Sequence, residues 1–293
     1  MKYDIIKIGL KGRYMNTSKV SVILPCYNVA PYMDNMFDSL RNQTMKDIEI
    51  ICVDDKSTDD TVRKIRDFMK SDKRICLYKL SKNHGVSYAR NYGLKKSRGK
   101  YVCFLDPDDY IDNDFIEKLY KNITKNKSDV AKARFKIGDK YWKTHELVKR
   151  NFLCFDSEHT SAIYNKKFLL ENNILYPEDV ITGQDAVFLS NLVLNTNKIT
   201  TIDDTCYHYV RRPDSLDTQK LPHKKVLSRI KMLDYKMQMF QEHKFDNYND
   251  KIIFIQRHIL NHFFYAFDPK RISESDKKLL IKWLIINRKN LIV

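Results

Sequence analysis

The chain has 293 residues, enough for two domains or for one large domain with an appendage. Hydrophobic residues make up 43% of it and charged residues 31%, which excludes a wholly disordered chain and permits a substantial core. The formal net charge of +16 indicates an anionic partner such as nucleic acid, a membrane surface or a phosphorylated substrate, without choosing among them.

The first third of the chain alternates between short apolar runs and amphipathic stretches with helical spacing. We predict strands at 20–25, 48–55, 75–80 and 101–106, and helices at 31–43, 59–71 and 86–97. Strands that alternate with helices of this length are typical of βαβ units and a parallel sheet. The predicted fold class is therefore α/β, with a Rossmann-like, mostly parallel sheet flanked by helices.

Asp112 is interpreted as the N-cap of the helix that follows the fourth strand. The pattern is less regular beyond about residue 125. Beyond it we predict strands at 129–137 and 198–210, and helices at 165–173, 183–196, 222–244, 251–267 and 275–290. The last three predicted helices lie beyond a boundary that we place near residue 216, so the chain is expected to end in an α-helical extension.

The cysteines, the N-terminus and the lengths of the apolar runs indicate where in the cell the protein is expected. The six cysteines form no Cys-x-x-Cys pair and mostly fall in apolar runs, so we expect them to be reduced and buried, as in a cytosolic compartment. The N-terminus lacks a long apolar core, and no signal peptide is expected. No run of about 18 apolar residues occurs, so no membrane-spanning helix is expected either.

Carboxylates crowd the ends of two predicted strands. Asp54 and Asp55 end the second, and Asp106, Asp108 and Asp109 follow the fourth. In an open α/β sheet, ligands bind outside the carboxyl ends of the strands, so these acids converge if the strands are neighbours. Because clustered carboxylates repel, a divalent cation such as Mg²⁺ or Mn²⁺ is the expected counter-charge. The alternative is that they form turns and cap helices.

Several motifs in order resemble the family-2 inverting glycosyltransferases of bacterial type, which have the GT-A fold. The similarity lies in VSVILPCYN and IEIICVDD, in VSYARNYG followed by the Asp-x-Asp of VCFLDPDDY, in GQDAVF, and in YHYVRRPDS. It covers residues 19–215, which would form the GT-A domain. Residues 1–18 remain as an N-terminal extension, and residues 216–293 as a basic helical C-terminal region.

The resemblance implies transfer of a sugar from a nucleotide diphosphate sugar, expected to be a UDP-sugar, to a hydroxyl of a glycan or lipid-linked acceptor in cell-envelope polysaccharide synthesis. Asp185 would be the general base, with helix capping as its alternative role. Mn²⁺ or Mg²⁺ would be held by Asp106 and Asp108, with His208 completing the shell unless it only bonds to its strand neighbours. The implied donor contacts are Pro25, Tyr27, Asn28, Asp54, Asp55, Arg90, Asp106, Arg211, Arg212 and Ser215.

Two positions depart from the family pattern. Lys56 stands where a glycine is usual after the aspartate pair, so either the loop differs or Lys56 contacts the donor. Gln184 replaces the usual glutamate before Asp185. This departure bears on the identity of the acceptor and does not affect the assignment of Asp185 as the base.

The region after residue 216 holds 16 lysines and arginines against 8 aspartates and glutamates, a surplus of +8. Its last helix mixes leucine, isoleucine and Trp283 with basic residues, which favours peripheral binding to an anionic membrane, such as the cytoplasmic face; the alternative is an ordinary packed helix. The pair His258 and His262 has helical spacing but no adjacent glutamate, so we interpret it as structural.

Two other classes of function compete with sugar transfer. A nucleic-acid-binding protein would suit the charge, but no recognisable nucleic-acid-binding motif is present, and no nucleic-acid partner is expected. A catalytically inactive nucleotide-sugar-binding scaffold would suit the fold, but Asp106, Asp108 and Asp185 argue against it.

Overall fold

The computed structural model describes residues 6–8, 18–142, 144–155, 158–211, 221–266 and 271–291. The strands are β1 (Ile6–Ile8), β2 (Val20–Cys26), β3 (Ile48–Asp54), β4 (Ile75–Lys79), β5 (Tyr101–Phe104), β6 (Tyr110–Ile111), β7 (Val130–Ile137), β8 (Lys140–Trp142), β9 (Ala162–Asn165) and β10 (Ile199–Tyr209). The α-helices are α1 (Asp34–Arg41), α2 (Thr61–Ser71), α3 (Val86–Lys96), α4 (Phe115–Asn126), α5 (Thr144–Arg150), α6 (Lys166–Glu171), α7 (Gln184–Asn195), α8 (His223–Glu242), α9 (Tyr248–Phe254), α10 (Asn261–Ala266) and α11 (Glu274–Leu291).

The strands form one mixed sheet in the order β1-β4-β3-β2-β5-β9-β7-β10-β6, with β8 paired to β7. The four strands β4, β3, β2 and β5 are parallel, which confirms the predicted βαβ half. The second half is mixed: β9 runs antiparallel to both of its neighbours, whereas β10 runs parallel to β7. The α/β architecture with a C-terminal helical extension is as predicted.

The central strands β2 and β3 are buried throughout and mostly apolar because helices cover both faces of the sheet. In β2, Val20, Val22 and Leu24 pack into the core formed with α1, α2 and α4. Ile23 points to the opposite face and packs in a second core with Leu94 of α3. This alternation explains why the strands read as continuous hydrophobic runs in the sequence.

The second core continues into the C-terminal helices. Phe104 of β5, Phe188 of α7, Leu233 of α8 and Trp283 of α11 all belong to it. The extension is therefore packed against the sheet, while the division near residue 216 remains a prediction from the sequence. No helix in the described ranges is both long enough and apolar enough to cross a membrane.

Two local expectations are wrong. The predicted helix at 251–267 is helical throughout its described residues, but its middle segment, Ile255–Leu260, is π-helical between α9 and α10. Asp112 is not the N-cap of α4, because the N-cap is Asp114, two residues later. Trp283 is not at the surface: it is 5% exposed, stacks on Phe263, and donates its indole N–H to Asp234 at 2.7 Å.

The structural interpretation of His258 is supported by its contacts. Its Nε2 lies 2.8 Å from the Leu153 carbonyl oxygen and must donate there, while Nδ1 lies 2.9 Å from the Ser190 hydroxyl. The ring is fully buried and joins the π-helical segment to α7. Burial lowers the pKa of His258 to about 3, helped by the nearby Lys236 charge. The six cysteines are reduced and buried, as predicted.

Acid should destabilise the fold through His258. The unfolded chain takes up this proton near pH 6.5, whereas the folded chain resists it down to about pH 3. The unfolded state therefore binds more protons between these limits, and the free energy of unfolding should be lower by about 2 kcal/mol at pH 5 than at pH 8 from this group alone. Urea unfolding at both pH values measures the difference.

The comparison variant is His258→Gln, which should lose stability at pH 8 but show a shallower decline on acidification. Ser190→Ala keeps the ring and should retain the wild-type slope. An unchanged slope in His258→Gln would assign the acid sensitivity to other groups.

Candidate active site

The candidate site lies where β3, β2 and β5 end side by side. These three strands are neighbours and parallel, so the residues that follow them meet at one edge of the sheet. The edge brings together Tyr27 and Asn28 after β2, Asp54 and Asp55 at the end of β3, and Asp106 beyond β5. Asp54 and Asp55 thus lie at the same edge of the sheet as Asp106, with β2 between the two strands that they follow.

The loops after β2 and β3 are tied to each other and to α3. The backbone N–H groups of His84 and Gly85 donate to the Asp55 carboxylate, each at 2.7 Å. The side-chain oxygen of Asn28 accepts the N–H of Thr58 at 2.8 Å. Burial raises the pKa of Asp55 despite these hydrogen bonds. Asp55 and Asn28 therefore hold the loops at this edge of the sheet in place, in addition to any contact they make with a donor.

Lys56 keeps the backbone conformation that a glycine would adopt. Its φ is +66°, in the left-handed region, and Asn28 across the loop has φ +50°. Because a lysine adopts this conformation only at some cost, the surrounding hydrogen bonds must hold the loop in place. A contact between Lys56 and the donor, and a loop that differs from the family's, both stay predictions.

Arg90 is buried beneath the carboxylate cluster. Its side chain is 4% exposed, its Nη2 donates to Asp106 Oδ1 at 2.6 Å, and its guanidinium lies 5.1 Å from the centre of the Tyr176 ring. Burial opposes the charge, but Asp106, Tyr176 and Asp185 together outweigh it and raise the pKa of Arg90. The predicted nucleotide residue is therefore a fixed positive charge that orients Asp106.

Asp109 is the member of the cluster whose importance the sequence did not reveal. It is 1% exposed and accepts hydrogen bonds from the Tyr207 hydroxyl and, at 2.8 Å, from the Val210 N–H. Burial and the charges of Asp106 and Asp108 raise its pKa to about 8. A cation held by Asp106 and Asp108 would relieve this repulsion.

His208 is engaged away from the cluster. Its Nε2 lies 2.7 Å from Asp112 Oδ1, and its ring stacks on Tyr110 with centres 4.3 Å apart. Within the described ranges, no group of three histidine, cysteine, aspartate or glutamate side chains is arranged to hold a metal. Two predicted donor contacts, Arg212 and Ser215, lie outside the described residues.

Asp185 lies in the first turn of α7. The helix begins after Gly183, which has φ +83°, so Asp185 is the second helical residue and Gly183 occupies the N-cap. A Cβ at position 183 would lie 2.4 Å from Met232 Sδ of α8. Glycine is required there both for its backbone conformation and for the close approach of α8.

Asp185 lines a cavity of about 850 Å³ together with Asp106 and Asp109. The C-terminal region supplies the other wall of this cavity. We define the basic wall as Lys225 and Arg229 of α8, Arg257 of the π-helical segment, and Arg271 before α11. Arg211 also lines the cavity. The sequence showed the charge of this region but not where the fold places it.

The fold is that of the GT-A glycosyltransferases. Staphylococcus aureus TarS 1–349 in complex with UDP-GlcNAc matches with a TM-score of 0.75 and 23% identity, over 91% of this chain and 79% of that one. The mannosyltransferase PcManGT from Pyrobaculum calidifontis, in complex with GDP-Man and Mn²⁺, matches with a TM-score of 0.59 and 16% identity, over 99% and 79%. At these identities the likeness shows the fold alone.

Residues 21–187 match the model of Glycosyl transferase family 2, and the chain belongs to this family of enzymes. Bacillus subtilis EpsJ, described as an uncharacterized glycosyltransferase, is 29% identical over 223 residues, 70% of this chain and 64% of EpsJ. The poly(ribitol-phosphate) beta-glucosyltransferase of Bacillus spizizenii is 30% identical over 207 residues, 67% of this chain and 33% of that enzyme. The chain therefore spans less than two thirds of the length of either relative.

Proposed function

We propose that the chain is a metal-dependent inverting glycosyltransferase that moves a sugar from a UDP-sugar to a hydroxyl of a glycan or lipid-linked acceptor in cell-envelope polysaccharide synthesis. The observation that carries the proposal is that Asp185 lines one cavity with two members of the carboxylate cluster, Asp106 and Asp109. Two relatives support the substrate classes: TarS has been solved with UDP-GlcNAc, and a Bacillus enzyme is named for glucosyl transfer to poly(ribitol-phosphate).

The reaction is a single displacement. The acceptor oxygen attacks the anomeric carbon from the face opposite the diphosphate, the new C–O bond forms as the old one breaks, and the diphosphate leaves with the electron pair. Asp185 takes the proton of the attacking hydroxyl. One base is sufficient because no covalent enzyme intermediate forms. The environment of Asp185, at the start of a helix and beside the cavity, suits this role.

The leaving diphosphate needs positive charge. Asp106 and Asp108 would hold Mn²⁺ or Mg²⁺, which would offset that charge, and Arg90 orients Asp106 for this role. Arg211 would pair with the phosphate oxygens from the other side. His208 is a weaker candidate as a third ligand because Asp112 already engages it. The remaining proposed donor contacts are Pro25, Tyr27, Asn28, Asp54, Asp55, Arg212 and Ser215.

The test is release of nucleoside diphosphate from a panel of nucleotide sugars, with Mn²⁺, with Mg²⁺ and with chelator, together with NMR of the product anomer. An active enzyme releases UDP only with metal and gives the inverted anomer. A scaffold would bind the donor without releasing UDP, and a nucleic-acid-binding protein would not bind the donor. Release that persists in chelator, or a retained anomer, would refute the mechanism.

We also propose that α11 binds the anionic cytoplasmic face of a membrane. Trp283 cannot take part, because it is buried. The outer surface of α11 instead exposes apolar and basic side chains together: Lys278, Leu279, Ile281, Lys282, Ile285, Ile286 and Lys289. Such a surface suits an interfacial helix, and each lysine near anionic headgroups contributes about 1 kcal/mol.

The protein should therefore bind vesicles that contain anionic lipid but not purely zwitterionic vesicles, and salt should weaken the binding. Vesicle sedimentation at low and high salt measures this. Ile285→Ser with Ile286→Ser should weaken binding without unfolding the chain, because both side chains are more than half exposed. If the wild type ignores anionic vesicles at low salt, α11 is only a packed helix.

A further inference from the structure

The basic wall collects positive charge within the cavity that holds the proposed base. Its four members come from three separate segments after residue 221, outside the part of the chain that matches the family model. Arg229 is buried, with its guanidinium 4.8 Å from the centre of the Tyr265 ring. The fold thus places these cations in a cavity, whereas an ordinary solvated surface would spread them apart.

Three members of the wall lie close enough to affect one another: Lys225, Arg229 and Arg271. Burial lowers the pKa of Lys225, and the charges of Arg229 and Arg271 lower it further. Cations gathered in a partly enclosed space repel each other, and a bound anion relieves that repulsion. Asp106, Asp109 and Asp185 line the same cavity and would repel an anion. The anion would therefore bind next to the wall, which the C-terminal region supplies.

Most of the proposed nucleotide contacts do not line the cavity that holds the wall. Its described lining residues do not include Tyr27, Asn28, Asp54 or Asp55. They do include Asp185, and also Asp106 and Arg211, which are proposed to act at the donor diphosphate. The wall therefore borders the space in which the acceptor hydroxyl must meet its base. A cavity of about 850 Å³ has room for a sugar and an acceptor unit together.

We propose that the basic wall binds a phosphate group of the acceptor and thereby places the neighbouring hydroxyl against Asp185. This inference rests on the proposed function and narrows its acceptor to phosphate-bearing molecules. The phosphate could belong to a polyol phosphodiester chain or to a lipid-linked diphosphate glycan. Arginine and lysine suit either source, because a guanidinium pairs with two phosphate oxygens and an ammonium supplies a point charge.

The test compares three acceptors in steady-state transfer: a polyol phosphodiester oligomer, a lipid-linked diphosphate glycan, and a neutral glycan without phosphate. Two double variants remove wall charges: Lys225→Gln with Arg257→Gln, and Lys225→Gln with Arg271→Gln, all at partly exposed positions. Arg229→Lys keeps the charge at the buried position. Lys224→Gln is the matched control, because its exposed side chain is next to Lys225 but does not line the cavity.

For the phosphate-bearing acceptor that the wild type prefers, each double variant should raise the acceptor KM on the order of 10- to 100-fold, while the dissociation constant for UDP changes less than about twofold. Lys224→Gln should leave both unchanged. Preference for the oligomer or for the lipid-linked glycan identifies the source of the phosphate. Equal use of the neutral glycan by the wild type would overturn the inference.

Three further outcomes would also overturn it: a matching loss of UDP affinity, which would assign the wall to the donor diphosphate; an equal effect of Lys224→Gln; or no effect of the double variants. If the wild type releases no UDP from any donor, the proposed function fails instead. Calorimetric titration of the phosphodiester oligomer and of the lipid-linked glycan into wild type and double variants then still decides whether the wall binds phosphate.

Discussion

Asp185→Asn is expected to lower kcat on the order of 10²- to 10⁴-fold, the usual contribution of a positioned proton acceptor. The amide has nearly the same shape as the carboxylate but cannot take the acceptor's proton. Donor binding should change little, because the proposed role of Asp185 is toward the acceptor hydroxyl and not toward the nucleotide. Transfer kinetics and UDP titration measure the two effects separately.

The matched control is Asp179→Asn, an equally conservative change in an aspartate that pairs with Lys231 at the surface. It should retain the wild-type kcat. Asp185 is also near the positive end of α7, so its loss should cost about 0.3–1 kcal/mol of stability. A variant that loses this stability but keeps its rate would show that Asp185 serves the helix and not the reaction.

Asp108→Ala is expected to abolish Mn²⁺-dependent transfer while leaving the fold intact. The loss follows because Asp106, whose Oδ1 also pairs with Arg90, would then be the remaining proposed aspartate ligand. Removing one of three crowded carboxylates also lessens the repulsion that raises the pKa of Asp109. Titration with Mn²⁺, followed by calorimetry and by transfer rate, measures the change, and thermal unfolding checks the fold.

Asp204→Asn is the control, since this exposed aspartate pairs with Lys118 away from the cluster. His208→Gln separates the two interpretations of the histidine: weaker Mn²⁺ binding would make it a ligand, and unchanged binding would leave it as the partner of Asp112. Wild-type transfer that continues in chelator would refute the metal hypothesis.

The sequence predicted the parallel half of the sheet well, because its signal is local. Each of β2 to β5 is a continuous apolar run between turn residues, and each intervening helix has one apolar face. The short strands β6 and β9 were not predicted, because a segment of two to four residues is too short to show an alternation of apolar and polar residues. They are strands only because β10 and β7 lie beside them.

The residues of the candidate site likewise fall into those that local sequence motifs predict and those that only the fold brings together. Asp106 and Asp185 stand in recognisable motifs, so they could be named before their geometry was known. The basic wall could not, because its charges are spread over about 50 residues and meet only when α8 and the π-helical segment pack against α7. The position of Trp283 was misjudged because the last helix carries apolar residues on both its buried and its exposed sides.

The contact between Gly183 and Met232 limits how this enzyme can be re-engineered. With no side chain at 183, the backbone that leads into Asp185 rests directly on α8. A chimera that imports another enzyme's C-terminal helices would shift the backbone before Asp185, the proposed base, unless the residue at 232 has a matching shape. The fusion point of such a chimera should therefore lie before residue 183, so that α7 and α8 are exchanged together.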